Sequence, residues 1–322
     1  MSKIIIPGHP HFNIHKRNYL EIETAPVRIG VSGHFTMRAI KPGFGVVREL
    51  SFDNLITNLG LNAMGSACSF ARMHLGTGTT PPSYTDTALS NFGVNVSDAN
   101  PTYTQFSNSG APDYYGITTQ TWTSSVGAAT GNWTEIGISS ENVNGNLRSR
   151  ALIVDANGDP TTFTVLADEQ FQGSYTTRTY MPLTDDVRSV TLGPITYDAM
   201  TRAANIQRVG SGVTHGSAQI FAMDQLLAVS TGAAPAVTGT YPTGEISGAS
   251  GSVTLGSYGT DNYYRDTEIR FGSGVLVASG IRTFTMRHNS NNHWFNVEYN
   301  PTITKLTTEE LIINQRTSWA RR

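Results

Sequence analysis

The chain has 322 residues, enough for one large hydrophobic core or two moderate ones. Only 14 % of them are charged and the formal net charge is −2, which gives no electrostatic basis for binding nucleic acid or an anionic membrane. Cys68 is the only cysteine, so a disulfide framework or a thiolate metal cage within one chain is excluded, and no apolar run approaches the length of a membrane span.

Residues 1–27 read as an extended arm. His9-Pro-His-Phe-Asn-Ile-His15 has no clear period, and Pro7, Pro10 and Pro26 interrupt any continuous ladder. Such arms are either disordered or ordered by a neighbouring subunit. Strands are predicted at 27–31, 35–40 and 46–50, with Gly33 and Pro42-Gly43 as turns. Residues 58–64 are the best helix candidate, with Asn58 as its cap and Gly60 and Gly65 keeping it short. A strand is expected at 69–75, a loop at 76–82, one helical turn at 85–89 and turn-rich chain over 90–116.

From 118 to 192 the strand pattern is strongest. On 171–179, Phe171, Gly173 and Tyr175 share one face, while Gln170, Gln172, Ser174, Thr176 and Arg178 share the other, which is the alternation of a half-buried strand. Ala151-Leu-Ile-Val154 is apolar at consecutive positions and is expected to be covered on both sides. Asn157-Gly158 that follows is a hairpin signal. Gly, Ser, Ala and Thr dominate 205–260, and strand signals return from 268 to Trp319. The expected fold is all-β, one or more antiparallel β-sandwich modules with long loops. Its predicted divisions are the arm (1–27), a sandwich (28–200), a Gly/Ser/Thr-rich insertion or linker (201–264) and C-terminal strands forming a second sheet or lobe (265–322). Abundant Thr with little charge suits sheets whose hydroxyl-rich outer faces are partly covered by neighbours.

No catalytic signature is present. Gly76-Thr-Gly-Thr-Thr lacks the lysine of a phosphate-binding loop, and there is no GxSxG elbow. Glu135, Asp168, Glu169, Asp185 and Asp186 are the carboxylates from which a polysaccharide depolymerase would draw a pair, but spacing along a chain does not bring two together. Asp155-Ala-Asn-Gly-Asp159 has the oxygen density of a calcium loop without its bidentate glutamate, and the hairpin reading is preferred. His9, His11 and His15 are the metal candidates, with no carboxylate or cysteine nearby to complete a tetrahedron, so no metal or cofactor is expected. Tyr114, Tyr115, Tyr263 and Tyr264 lie in loop-rich segments where aromatics either anchor an interface or pack beneath loops. With Phe12, Tyr19 and Trp319 they form the set of interface candidates.

Several short stretches resemble tailed-bacteriophage virion proteins of the tail, neck and fibre-base type. They are Asn54-Leu-Ile-Thr-Asn-Leu-Gly-Leu61, Gly76-Thr-Gly-Thr-Thr-Pro-Pro82 with Thr85-Asp-Thr-Ala-Leu89, Trp133-Thr-Glu-Ile-Gly-Ile138, Arg150-Ala-Leu152, Pro160-Thr-Thr162 and Ser318-Trp-Ala-Arg321. The resemblance implies a non-enzymatic structural subunit of β-sandwich modules, assembled in the host cytoplasm and used in symmetric copies on a virion. Its partners would be copies of itself and other tail, portal, neck or baseplate proteins. No repetitive shaft is present, which favours a collar, neck or baseplate role over a fibre tip. A fibre gripping host surface glycan through 100–125 and 240–265 is the alternative reading.

Overall fold

A computed structural model describes residues 19–65, 70–96, 102–108, 114–192, 194–206, 223–235, 242–247, 249–275, 277–288 and 293–322. The chain is all-β. β1 (Tyr19–Glu23), β2 (Val27–Lys41), β3 (Gly45–Asp53) and the short β4 (Leu55–Ile56) lead into α1 (Asn58–Gly65). β5 (Arg72–Gly76), β6 (Phe92–Val96), β7 (Thr102–Asn108), β8 (Tyr115–Thr123), β9 (Gly131–Trp133) and β10 (Glu135–Ser139) follow. Next come β11 (Leu147–Leu152), β12 (Phe163–Val165), β13 (Gln170–Tyr180), β14 (Asp186–Leu192) and β15 (Ile195–Ile206). The chain continues through β16 (Met223–Ser230), β17 (Ser252–Leu255), β18 (Tyr264–Phe271), β19 (Val277–His288), β20 (His293–Lys305) and β21 (Glu310–Arg321).

The largest sheet has nine strands, with the order β17-β18-β21-β2-β13-β8-β7 and with β1 on β21 and β3 on β2. Cross-strand partners share a face, so the register fixes which side chains point inward. Trp122, Gly173 and Met37 lie in one row, Gln120, Tyr175, Phe35 and Phe52 in the next, and Phe271–Leu311 and Ile269–Ile313 extend the same face. Every apolar member of these rows is buried. The alternate positions make the opposite face, where Thr121–Ser174, Thr119–Thr176 and Thr36–Ser51 pair through their hydroxyls at 2.7–2.9 Å.

Two five-stranded sheets, β4-β11-β10-β5-β6 and β14-β15-β20-β19-β16, cover the inner face. The first sits over β13 and β8: the Trp122 indole N–H donates to the Ala71 carbonyl (3.3 Å), and Phe70 meets Tyr175 edge-on at 5.4 Å. The second covers the β18–β21 half, with Thr201 Oγ1 donating to Ala25 O at 2.8 Å and Leu226 against Gly251. One contiguous core joins all three sheets. The fourth sheet is the pair β12-β9.

Several expectations change. Residues 19–27 belong to the body, because β1 pairs in parallel with β21, and Ile22, Ala25 and Val27 are buried. The rest of the expected arm, residues 1–18 with Phe12, His9, His11 and His15, lies outside the described residues. The sequence divisions 28–200 and 265–322 do not coincide with the sheets: β21 lies beside β2, while β14 and β15 join β20. Gly33 is not a turn but the interior of an unbroken β2. A Cβ there would stand 2.2 Å from Asn54 Oδ1 and 2.5 Å from the Tyr175 hydroxyl, so the residue is small because two side chains cross over it. Residues 85–89 are irregular chain rather than a helical turn, and the expected turn-rich 90–116 holds β6, β7 and the start of β8, because these segments find ladder partners in β5, β8 and β13.

The helix appears where expected, but its cap is Thr57. Its Oγ1 accepts from Gly60 N–H at 3.0 Å and donates to Leu147 O at 2.5 Å, tying α1 to β11. Thr57→Ala is expected to lower the unfolding free energy by about 1–2 kcal/mol in urea melts, since it removes a cap and orphans buried groups. An unchanged midpoint would refute this role. The Asn157-Gly158 turn also forms, with Gly158 at φ +88° and Asp155 Oδ1 accepting from the N–H groups of Asn157 and Asp159. The two flanking strands then part, β11 to β10 and β12 to β9. Ile153 is fully buried but Leu152 and Val154 are only half-buried.

Candidate functional site

The stretches 76–82, 85–89, 133–138 and 150–152, far apart in sequence, converge on one buried ionic cluster. Glu135 and Arg150 lie diagonally on one face of the β10–β11 ladder, Glu135 opposite Leu152 and Arg150 opposite Gly137, and both are buried. Glu135 Oε2 accepts from Arg150 Nε (3.0 Å) and Nη2 (2.8 Å) and from Ser90 N–H, while Oε1 accepts from Gly78 N–H (3.0 Å) and Asn91 N–H (2.7 Å). Arg150 also donates to Asp86 Oδ2 (2.6 Å), the Thr80 carbonyl (2.8 Å) and the Ser90 hydroxyl (3.0 Å). Burial pushes the Glu135 carboxyl up, but the bonds from Asn91, Arg150 and Ser90 outweigh it and hold the group below the usual glutamate range. These bonds tie Gly78, Thr80, Asp86, Ser90 and Asn91 to the β10–β11 pair, so the cluster works as a clamp. It fixes the 77–91 loop on the sheet and presents Pro82 and Tyr84 at the surface.

The other proposed catalytic carboxylates are each held by a cation of their own: Asp168 by Lys41 (2.8 Å), Glu169 by Arg48, Asp185 by Arg202 (2.6 Å) and Asp186 by Arg28 (3.3 Å). Among the described residues no three His, Cys, Asp or Glu gather as metal ligands. No helix among them is long and apolar enough to cross a membrane.

The interface candidates divide. Tyr19 is 58 % exposed on β1. Tyr115 is half-buried, edge-on to Tyr180 at 5.8 Å and beneath the Arg178 guanidinium, and Tyr264 lies under Arg316. Tyr114 and Tyr263 pack against the core. Trp319 is 3 % exposed: it stacks on Tyr258 and donates to Leu61 O at 2.9 Å. It is a core residue and cannot anchor a neighbour, because the helix and the 256–263 loop already cover its ring.

The exposed apolar side chains lie elsewhere. The β2–β3 hairpin tip carries Phe44 (77 % exposed), Val46 and Val47. Lys41–Asp168 and Arg48–Glu169 ion pairs join that tip to the 166–169 turn, which carries exposed Leu166, and Gly127 N–H bonds Glu169 O beside exposed Val126. One end of the large sheet therefore gathers five exposed apolar side chains, Phe44, Val46, Val47, Val126 and Leu166. The signal for Phe44 was present in the sequence, as an aromatic directly after Pro42-Gly43. Val126 and Leu166 join it only through the fold. The chain matches no protein-family model, no curated protein and no solved structure.

Proposed function

We propose that this chain is a structural subunit of a tailed-phage virion, assembling as a symmetric homo-oligomer in the tail, neck or baseplate. The observation that carries the reading is the apolar end formed by Phe44, Val46, Val47, Val126 and Leu166. Exposed apolar side chains gathered at one end of a domain in this way mark a protein contact. The hairpin that bears it also leaves the outer edge of β3 without a strand partner among the described residues, since β3 pairs with β2 alone. A neighbouring copy would cover both, and closed symmetry would leave no edge available for runaway pairing.

Native mass spectrometry tests it. The wild-type chain is expected as a closed oligomer, and the double variant Phe44→Ser/Val47→Ser as a monomer with an unchanged melting temperature, because exposed positions change stability by only about 0.5 kcal/mol. A wild-type chain that stays monomeric at tens of micromolar would end the proposal.

A further inference from the structure

The end of β21 and the clamped 77–91 loop wall a pocket of about 410 Å³, within the ~300–1,000 Å³ range of ligand pockets. Its walls are largely apolar, with Val31, Ile56, Ala151, Leu152 and Val154 among the lining residues, and its rim carries Tyr84, Arg321 and Arg322. Among the described residues Asp53 is the only carboxylate lining it, and that group bonds His34 at 2.8 Å. Arg150 contributes one wall, but its donors are committed to Glu135, Asp86, Thr80 and Ser90.

Arg321 differs from Arg150. It is half-buried, yet both of its hydrogen bonds go to neutral acceptors, Nε to Ile56 O (2.5 Å) and Nη2 to Asn58 Oδ1 (2.6 Å). No described carboxylate pairs with it. By comparison, Arg202, Arg282 and Arg316 all meet acids within 3 Å. The Arg321 guanidinium stacks on Tyr84 at 4.2 Å, and that of Arg322 on Tyr180 at 4.1 Å. Stacking holds both groups flat, a geometry suited to a planar carboxylate. A partly desolvated cation beside apolar walls is completed by an anion that brings its own apolar flank. Sugar hydroxyls would find little here: Ser32, Asp53 and Asn54 are the hydrogen-bonding side chains besides the arginines and Tyr84, and the Asn54 amide already bonds Ser149.

We propose that this pocket receives an acidic side chain, flanked by apolar residues, from an extended segment of a partner protein. The carboxylate sits on Arg321 at the Tyr84 rim, and the apolar flank sits on Val31, Ile56 and Leu152. The inference rests on the chemistry of the pocket and does not require self-assembly.

Fluorescence anisotropy with a labelled, end-capped octapeptide carrying one Glu between Leu and Val tests it. Saturable binding is expected, weakened about tenfold or more by Glu→Gln in the peptide or by Arg321→Gln in the protein, the size of one lost charge-assisted bond. Tyr84→Ala, an exposed position, is expected to weaken binding without moving the melting temperature. If Arg321→Gln melts early, the Tyr84→Ala and peptide Gln results decide. Equal binding of the Gln peptide, absence of binding by the wild-type protein, or binding of sodium glucuronate in place of the peptide would each overturn the proposal.

Discussion

Arg150→Met is expected to lower the unfolding free energy by about 3–5 kcal/mol, the cost of stranding a buried charge without its partner. Glu135 would keep its amide donors but lose the cation, and Asp86 and the Thr80 carbonyl would lose theirs. Urea denaturation gives the magnitude. Hydrogen exchange gives the location, since the Gly78, Ser90 and Asn91 amides that Glu135 fixes should exchange much faster in the variant. The wild-type clamp also has a pH signature. The Glu135 carboxyl is held below its ordinary range, so its contribution is complete above the unfolded value of about 4.3 and is lost as pH falls through the lower folded value. Glu135→Gln should therefore be less stable at neutral pH and flatter in acid than the wild type. If Arg150→Met left both the urea midpoint and the loop amides unchanged, the clamp would have no structural role.

Trp319→Ala is expected to cost a similar amount, about 3–5 kcal/mol, as for other large-to-small changes at buried aromatic sites. The indole joins three parts of the chain. It donates to α1 at Leu61, stacks on Tyr258 with centroids 5.7 Å apart, and lies so close to Gly65 that a Cβ there would stand 2.6 Å from the ring. Tyr258 provides an independent readout. Burial, then the neighbouring Tyr263 and Asp261, push its phenol up to about 12. Removing the indole opens the site to water, and ultraviolet titration should show that phenol falling back toward 10. A variant as stable as the wild type but defective in assembly would return Trp319 to the interface role that its sequence position first implied.

The difference between Trp319 and Phe44 shows where sequence reading stops. Both are aromatics near polar or turn residues, and nothing local tells a ring under a loop from a ring in solvent. Burial of Trp319 depends on α1 and on the 256–263 loop, roughly 260 and 60 residues away along the chain. Glu135 is a similar case. Its stretch was recognisable, but its role as the acceptor from four residues, Gly78, Ser90, Asn91 and Arg150, appears only when the 77–91 loop folds back over β10. Arg321 carried no signal of its own, because a guanidinium is defined by what stands opposite it.

The period-two alternation of 171–179, the short helix after Asn54-Leu-Ile-Thr and the Asn157-Gly158 turn were determined by the sequence alone, since each depends on side chains and dihedral preferences within a few residues. Strand partnership was decided by the tertiary structure. β21 lies between β18 and β2, closing a contact across 290 residues, and β14 and β15 join β20 in a five-stranded sheet rather than the strands that precede them. The physical reason is that a strand satisfies half of its hydrogen bonds on each side, and any strand of matching face can supply them. The choice is made by which pairing buries the most apolar surface across the whole chain, a quantity that no local window contains.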